Sequence, residues 1–415
     1  MDGERESIGL DPKSLARHYR TILRRGEQDV SVLENAGGSA SAEPDLSLPA
    51  VTDRMKRLRS ELTRIVKEEL GDDPDLYTLI DQIVAQGETA LHLLGAGDDQ
   101  ALADSSGFGD VEVIVQLDGS RPSFMVRGDK ADLKSSPVGG WSDRLGAQEE
   151  SLRDALCCVG RIDDPSQPLG WVGTGFLVHN NLIMTNRHVL QALGKEVEDH
   201  SWSLHTNLAI DFGHEFRSVE TARRRVLHSV AFCPRDPIVT TAIDHKRLDL
   251  VLIELTPSDA SNRPPATLAI DIGPEWANPG EVVFVAGYPG KPLFGQYEPS
   301  LLDQLFRSTF GYKRLAPGLV TAPVDFAAEA TSLTTAHDAT TLGGNSGSCV
   351  VRFDRPNAAA GLHYGGRRVE PRENWAHILG RTLAAEDSQT GASLRNVLDR
   401  FGVNLIDRIG ERNDG

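Results

Sequence analysis

Three residues of this sequence carry the side chains that nucleophilic hydrolysis requires. His188 lies in the segment TNRHV, Asp249 begins the run DLVLIEL, and Ser346 lies in the glycine-rich stretch GGNSGS. A serine hydroxyl becomes a nucleophile when a base takes its proton, and histidine can act as that base near neutral pH. A carboxylate that fixes the imidazole tautomer and stabilises the imidazolium completes such a triad. We therefore predict that His188, Asp249 and Ser346 form a catalytic triad.

The glycines around Ser346 predict a binding site for a negatively charged oxygen. The backbone N–H groups of Gly344 and Ser346 converge only if the chain turns sharply, and glycine allows such turns because it lacks a Cβ atom. Donors placed in this way stabilise the oxyanion that forms when the hydroxyl attacks. The chain order histidine, aspartate, serine is that of chymotrypsin-type enzymes, whereas α/β-hydrolases and subtilisins use other orders.

The chain from residue 156 onward must position these residues, and its pattern is that of an all-β structure. Short β-forming runs recur between turns rich in Gly, Pro, Asn and Asp; they are CCVGRI, WVGTGFLV, NLIMT, RVLHSVAF, DLVLIEL, EVVFVAGYPG, GLVTA, GSCVV and AAGLHY. Many short strands joined by long loops predict a barrel or a sandwich. The run ASLRNVLDRF predicts a helix packed on one barrel, and residues 406–415 are expected to be a tail.

The N-terminal third follows a different pattern. We expect residues 1–50 to be a flexible segment that holds a short amphipathic helix over 11–25 and ends in a linker rich in Gly, Ser, Ala and Pro. Apolar residues at helical spacing predict a small bundle over 51–105. Its first helix should end at Gly71, and its second should begin near Asp73.

The rest of this third is predicted to contain a β-hairpin and a connecting helix, within 106–155. The runs VEVIVQL and RPSFMV flank the turn sequence DGS at 118–120, which is the pattern of two strands joined by a tight turn. The connecting helix is expected within 141–156. In the preceding bundle, the second helix should end at Gly87, and a third should cover 88–94.

Composition limits the functions that this chain can have. A formal charge of −17 argues against binding to phosphate backbones or to an anionic membrane. No apolar run approaches the roughly 18 to 20 residues that cross a bilayer, and the first thirty residues lack the apolar centre of a secretory signal. The four cysteines show no metal-ligand spacing, and free thiols are typical of reducing compartments. We expect a cytoplasmic protein with no metal, no cofactor and no nucleic-acid or membrane partner.

Taken together, the motifs resemble those of the trypsin-like serine proteases, specifically the bacterial branch that contains glutamyl endopeptidases and HtrA-type proteases. The matching segments are GTGFLV, TNRHV, DLVLIEL, VAGYPG, GGNSGS and GLHYGG, in the order of that family. The resemblance covers residues 156–405. It implies a mainly β, chymotrypsin-like double barrel, preceded here by a small α-helical domain and a hairpin segment. It also implies a serine endopeptidase that acts on proteins or peptides.

The same resemblance implies which residues bind the substrate side chain before the scissile bond, the P1 side chain. In glutamyl endopeptidases, a Thr five residues before the nucleophile and a His in a Gly-x-His-x-Gly-Gly strand line this pocket. The matching residues are Thr341 and His363, with Tyr364 and Gly365 beside His363. A buried carboxylate needs donors to offset its lost hydration, so we expect a preference for Glu, Asp or Gln. Alternatively, His363 packs in the second barrel and the Thr341 hydroxyl bonds to backbone.

Asn345 precedes Ser346 at the position where trypsin-like zymogens carry an aspartate that pairs with a newly formed N-terminal ammonium. A neutral amide cannot form this ion pair, so we do not expect the oxyanion turn to wait for a cleavage. Regulation is expected instead through the N-terminal region, as an adaptor or sensor for a partner protein, a lid or an oligomerisation bundle. Such fusions resemble bacterial defence or signalling effectors in architecture. A catalytically silent peptide-binding scaffold and an esterase are the alternative functions.

Overall fold

The computed structural model describes most of the chain between residues 44 and 407. The described residues are 12–13, 16–17, 19–20, 23, 44–105, 107–136, 138–216, 223–240, 243–257, 264, 266–290, 310–323, 332–341, 344–367 and 373–407. The described residues within the predicted helix over 11–25 are helical, and Tyr19 and Leu23 are buried. Most of the predicted linker and tail lie outside the described residues. Within the described residues, no helix combines the length and the apolar character needed to cross a bilayer.

Among the described residues between 44 and 117, four helices form a bundle that precedes the β structure, and Ala16, Tyr19 and Leu23 join its core. The helices are α1 (Leu48–Ile65), α2 (Pro74–Ala96), α3 (Asp99–Asp104) and α4 (Gly107–Leu117), and a π-helical turn over Val66–Leu70 extends α1. Gly71 ends this extension with a left-handed φ of 92°, as its position predicts. The Asp73 carboxylate accepts a hydrogen bond from the Asp75 N–H at 2.9 Å and so caps α2. Apolar residues of α1, α2 and α4 share one buried core.

Three predictions for this region are wrong: the end of the second helix at Gly87, a separate helix over 88–94 and a strand at VEVIVQL. No helix break occurs at Gly87, because α2 continues to Ala96; a Cβ atom at Gly87 would overlap Ile114 of α4, so this glycine lets two helices approach closely. The run VEVIVQL is not a strand but part of α4, where Val111, Ile114 and Val115 pack into the bundle core. Valines at every second position, 111, 113 and 115, give this run the alternation that is typical of a strand. Because the run is helical, the bundle extends to Leu117 and not to residue 105.

The hairpin of this region lies later than predicted. It consists of β1 (Phe124–Arg127) and β2 (Lys130–Asp132), which turn at Gly128 and Asp129, both with a φ of 61°. Two helices follow within the predicted interval: α5 (Ser142–Ala147) and α6 (Glu149–Cys157). The turn sequence at 118–120 is not a hairpin turn but part of the connection from α4 to β1.

Six antiparallel strands then close into a first barrel. In chain order they are β3 (Val159–Asp163), β4 (Trp171–His179), β5 (Leu182–Thr185), β8 (Ala209–Asp211), β9 (Arg224–Phe232) and β10 (Val251–Leu255). The order around the barrel is β3, β4, β5, β10, β9 and β8, which pairs again with β3. Outside this ring lie α7 (Arg187–Leu193) and a ribbon of β6 (Gly194–Glu196) and β7 (Trp202–Leu204).

Six further antiparallel strands close into a second barrel. They are β12 (Val282–Gly287), β13 (Arg314–Thr321), β14 (Thr334–His337), β15 (Cys349–Arg352), β16 (Arg355–Gly366) and β17 (Asn374–Ile378). Their order is β12, β15, β16, β17, β14 and β13, and β13 pairs back to β12. The short strand β11 (Ala269–Asp271) pairs with β16, and β18 (Leu405–Ile406) pairs with β11. The helix α8 (Leu394–Phe401) is the predicted C-terminal helix. The predicted double barrel is confirmed.

The hairpin ties the N-terminal region to the second barrel. β1 pairs with β13, with Phe124 opposite Leu315 and Met125 opposite Arg314. Strand pairing of this kind supplies main-chain hydrogen bonds and covers an edge that would otherwise stay open. The hairpin is therefore an added pair of strands on the barrel sheet.

Candidate active site

Two neighbouring strands of the first barrel bring His188 and Asp249 together. β5 leads into the first turn of α7, which carries His188, and Asp249 lies just before β10, the partner of β5. His188 Nδ1 lies 2.5 Å from Asp249 Oδ2, and the His188 N–H donates to Asp249 Oδ1 at 2.9 Å. The side chain of Asp249 is 4% exposed and that of His188 is 18% exposed. The carboxylate is thus shielded while part of the imidazole faces solvent.

Ser346 lies on the second barrel, in the turn before β15. Its carbonyl accepts a hydrogen bond from the Thr174 N–H of β4 at 2.8 Å. A Cβ atom on Gly173 would lie 2.9 Å from Val189 and 3.1 Å from the Ser346 carbonyl, so Ser346 and the neighbour of His188 flank the same point of β4. Among the described residues, no hydrogen bond joins the Ser346 hydroxyl to the imidazole; such bonds are often long until substrate binds.

The main-chain groups of this turn are arranged as two anchored acceptors and two available donors. The carbonyl of Gly344 accepts the Thr174 hydroxyl at 2.9 Å, and the carbonyl of Ser346 accepts the Thr174 N–H. The N–H groups of Gly344 and Ser346 donate to no atom of the described residues. Two N–H groups that have no acceptor among the described residues, on residues whose own carbonyls are anchored, can serve as an oxyanion hole.

Glycine is required at two positions of this turn. Gly344 has a φ of 96° and Gly347 a φ of 89°, a left-handed region that other residues adopt only with strain. A Cβ atom on Gly344 would also overlap the Trp171 indole, and one on Gly347 would overlap the Thr174 carbonyl. The first barrel thus packs directly against the backbone of the turn.

Asn345 is buried within the turn and bonds to a residue of the same turn. Its side-chain Oδ1 accepts the Ser348 hydroxyl at 3.3 Å, and its carbonyl accepts the Ser348 N–H at 2.9 Å. A Cβ atom on Gly287 of β12 would overlap both side chains, so the pair fits against bare backbone. The turn has a neutral internal contact where the zymogen mechanism would require an ion pair.

His363 lies in a buried pair of histidines next to the candidate triad. His363 Nδ1 is 3.2 Å from His337 Nε2, and both rings are at most 3% exposed. Burial, and then the nearby His337 and His188, lower the pKa of His363 well below its ordinary value. Burial lowers the pKa of His337 to about 4. Both rings are therefore neutral near pH 7. Among the described residues, no group of three His, Cys, Asp or Glu could hold a metal ion.

Two of the other predicted pocket residues, Thr341 and Tyr364, form hydrogen bonds to side chains within the protein. The Thr341 hydroxyl donates to Asn374 Oδ1 at 2.6 Å, and so it bonds to a side chain and not to backbone. The Tyr364 hydroxyl donates to Thr334 Oγ1 at 3.2 Å, and its ring is 7% exposed, so this side chain lies in the interior. Gly365 continues the same strand.

Asp249 has two further partners that the sequence did not single out. Asn186 Nδ2 donates to the Asp249 carbonyl at 2.7 Å, and the Asp249 N–H donates to His377 Nε2 at 2.9 Å. Asn186 stands within the quoted motif TNRHV, so its position was a usable signal. His377 lies on β17 of the other barrel, and nothing in its sequence neighbourhood indicates this contact. Thr174 was likewise part of the motif GTGFLV.

Two closed six-stranded antiparallel barrels define the chymotrypsin class of fold, and the His–Asp pair lies on one barrel and the glycine turn around Ser346 on the other. Comparison with protein families agrees, because residues 173–358 match the trypsin-like peptidase domain. Residues 173–358 are therefore similar to a trypsin-like peptidase domain, and the chain is a serine peptidase that acts on proteins or peptides.

A curated relative is similar over most of the chain. A probable serine protease of Lysobacter enzymogenes is 29% identical over 385 residues, which are 88% of this chain and 93% of that protein. This similarity extends into the N-terminal region, because residues 173–358 make up less than half of the chain.

Solved protease structures also match, at low similarity. The inactive form of the Rv3671c protease of M. tuberculosis is 16% identical, with 61% of this chain and 93% of that chain covered and a TM-score of 0.34. Neuropsin of mouse brain is 10% identical, with 55% and 91% covered and a TM-score of 0.37. The HtrA-type protease AlgW with a decapeptide is 12% identical, with 61% and 65% covered and a TM-score of 0.34. The fold assignment rests on the strand pairing and not on these scores.

Proposed function

We propose that the protein is an endopeptidase with Ser346 as nucleophile, His188 as general base and Asp249 as the residue that orients His188. The observation that carries this proposal is the 2.5 Å contact between His188 Nδ1 and Asp249 Oδ2, next to the turn that holds Ser346. With its Nδ1–H directed to the carboxylate, His188 keeps a free lone pair on Nε2, which takes the serine proton.

The reaction follows from these positions. The Ser346 oxygen forms a bond to the scissile carbonyl carbon, its proton passes to His188 Nε2, and the carbonyl oxygen becomes an oxyanion next to the N–H groups of Gly344 and Ser346. The C–N bond then breaks as His188 returns the proton to the leaving amine. Water, with His188 again as base, hydrolyses the acyl-enzyme and releases Ser346.

Substitution of the nucleophile tests this assignment. In Ser346→Ala, cleavage of a protein substrate such as casein should fall by roughly a millionfold, to background, because no acyl-enzyme forms. Ser393→Ala is the matched control: it removes a serine hydroxyl that caps α8, by accepting the Asn396 N–H at 3.2 Å, and should lower stability without affecting turnover. Full activity in Ser346→Ala would refute the assignment.

We also propose that the P1 pocket prefers Gln or an acidic residue, because His363 can present a neutral donor there. In the buried pair, only one nitrogen carries the shared proton, and His337 Nδ1 has no hydrogen-bond partner within the described residues. An unpaired buried acceptor is tolerated better than an unpaired N–H, so His337 Nε2–H donates to His363 Nδ1. His363 then carries its remaining proton on Nε2, as a donor for a carboxamide or carboxylate oxygen.

Peptides that differ only at P1 test this preference. We expect kcat/KM to be higher with Gln or Glu than with Leu or Lys, and His363→Leu should reduce this ratio by about tenfold, the value of one hydrogen bond to a buried partner. Because the ratio is taken within one variant, a loss of stability does not change it. Cleavage only after Lys, Arg or large apolar residues would contradict the preference.

We propose a regulatory role for the N-terminal region on the basis of its separate core and its strand pairing with the second barrel. The bundle has its own core and is joined to the second barrel through β1. A partner protein that binds the bundle and displaces it would therefore move β1, which pairs with β13 of the barrel that carries Ser346. A chain without residues 1–117, which retains the hairpin, should differ from the full chain in kcat/KM. Equal values for both chains would show that the bundle has no influence on catalysis.

The cytoplasm is the compartment that we propose, since all four cysteines are buried free thiols. Fractionation of the native host should recover the protein in the cytosolic fraction. Recovery from an extracytoplasmic fraction would refute this location.

A further inference from the structure

The connection from α4 to β1, residues 118–123, is fixed to the helical bundle on one side. We call it the strap. Arg54 of α1 donates from Nε to Asp118 Oδ2 at 2.7 Å and from Nη2 to Ser120 Oγ at 3.0 Å. The side chains of Arg54 and Asp118 are 7% and 5% exposed. A buried pair of this kind is costly to break, so the strap keeps its position relative to α1.

The other side of the strap is fixed to the second barrel. The Thr340 hydroxyl donates to the Arg121 carbonyl at 2.8 Å, and Arg121 Nη1 donates to the Asp338 carbonyl at 3.4 Å. Further along, Arg314 Nη1 donates to the Ser123 carbonyl at 2.9 Å, where β1 begins to pair with β13. The strap therefore contacts two separate parts of the barrel.

The barrel segment that the strap contacts, residues 338–341, leads directly to the oxyanion turn. Its first residue is anchored to β13, because Asp338 Oδ1 accepts the Leu319 N–H at 2.7 Å. Asn374 of β17 holds it from the opposite side by donating to the Ala339 carbonyl at 2.8 Å. Of the two contacts from the strap to this segment, the one made by the Thr340 hydroxyl is the shorter, and it lies nearer to the oxyanion turn, four residues before Gly344.

We propose that Thr340 is a positioning residue, which uses the strap to hold the oxyanion turn in its active geometry. The N-terminal region then stabilises the active geometry of the oxyanion turn, and it does not cover the active site as a lid. The inference rests on the proposed role of the Gly344 and Ser346 N–H groups. A displacement of about 1 Å at reacting groups can reduce turnover by about 100-fold, so one lost contact in the approach to the turn has a measurable effect.

Thr340→Val in the full chain tests the proposal, because valine keeps the shape and loses the donor. We expect kcat to fall by between about tenfold and about 100-fold with KM nearly unchanged, since the oxyanion contact is made in the transition state. Thr340→Ser should restore most of kcat. Thr382→Val is the matched control: its hydroxyl also donates to a main-chain carbonyl at 2.8 Å, that of Leu379, and its loss should leave kcat unchanged.

The outcomes separate this inference from the proposed function. A Thr340→Val enzyme with wild-type kcat would overturn the role of Thr340, while Ser346→Ala would still test the triad. Failure of Thr340→Ser to restore kcat, with Thr340→Val impaired, would also overturn it, because the hydroxyl would not be the cause. Should the valine variant not fold, Thr340→Ala takes its place with the same expected loss and the same criterion.

Discussion

The two halves of the active site are held in different ways. His188 and Asp249 belong to paired strands of one barrel and bond directly to each other. The turn that carries Ser346 belongs to the second barrel, but Thr174 and Trp171 of the first barrel bond to it and pack against it. The base half is thus built mainly from a single barrel, whereas the nucleophile half depends on contacts from elsewhere in the chain.

The two halves should therefore respond differently to substitution. A change in the base half removes a chemical group but leaves the scaffold intact, so turnover should fall while stability changes little. A change in the nucleophile half disturbs packing between barrels, so turnover and stability should fall together. The following variants test this contrast.

Asp249→Asn should have the largest effect on turnover. The amide keeps the size of the side chain, but it favours the wrong tautomer of His188, and the corresponding loss in such triads is about 10⁴-fold in kcat. Steady-state kinetics at pH 7.5 would measure it, and urea unfolding should show a small change. A loss of less than tenfold would mean that Asp249 does not orient His188.

Gly344→Ala should lower both turnover and stability. The added Cβ overlaps the Trp171 indole at a φ of 96°, which displaces an oxyanion donor, and the loss of one such donor costs about 100- to 1000-fold in kcat. Gly391→Ala is the control, because Gly391 also has a positive φ, 70°, but nothing lies within 4 Å of an added Cβ. This control should lose stability alone. Equal kcat in both variants would contradict the packing argument.

The pH dependence of stability is a smaller effect than the losses of turnover above. It should arise from buried histidines of the second barrel. Burial lowers the pKa of His337 and His377 to about 4, so below pH 6.5 the unfolded chain binds protons that the folded protein does not. The free energy of unfolding therefore falls as pH drops from 7 to 5.5, by about 1 kcal/mol for each of these residues. In His377→Gln, urea titrations should show about 1 kcal/mol less pH dependence. An unchanged dependence would exclude His377 as a source.

The candidate residues His188, Asp249 and Ser346 are easier to find in the sequence than the residues that contact them in the folded structure. Motifs such as TNRHV and GGNSGS locate candidate residues because each combines a residue type that nucleophilic hydrolysis requires with the turn residues next to it. Strands β14 and β17, with sequences TTAH and NWAHI, were not predicted, since short Ala- and Thr-containing runs have no clear alternation. Their contacts, such as His377 with Asp249, join residues 128 positions apart. This contact forms only because the two barrels pack against each other.

The N-terminal region shows the same limit in another form. The spacing of apolar residues in α1 and α2 predicts helices, whereas the alternating valines of α4 predict a strand. The contact from Arg121 to Thr340 spans 219 positions, and neither residue belongs to a motif. Tertiary contacts of this length leave no local pattern.

Covalent labelling tests the central claim most directly. A fluorophosphonate should modify the full-length protein once, and peptide mass spectrometry should place the adduct on Ser346, because only a serine activated by His188 reacts rapidly with this probe. The adduct should disappear in Ser346→Ala and form far more slowly in His188→Ala. Labelling on another residue, or at an equal rate in His188→Ala, would contradict the account.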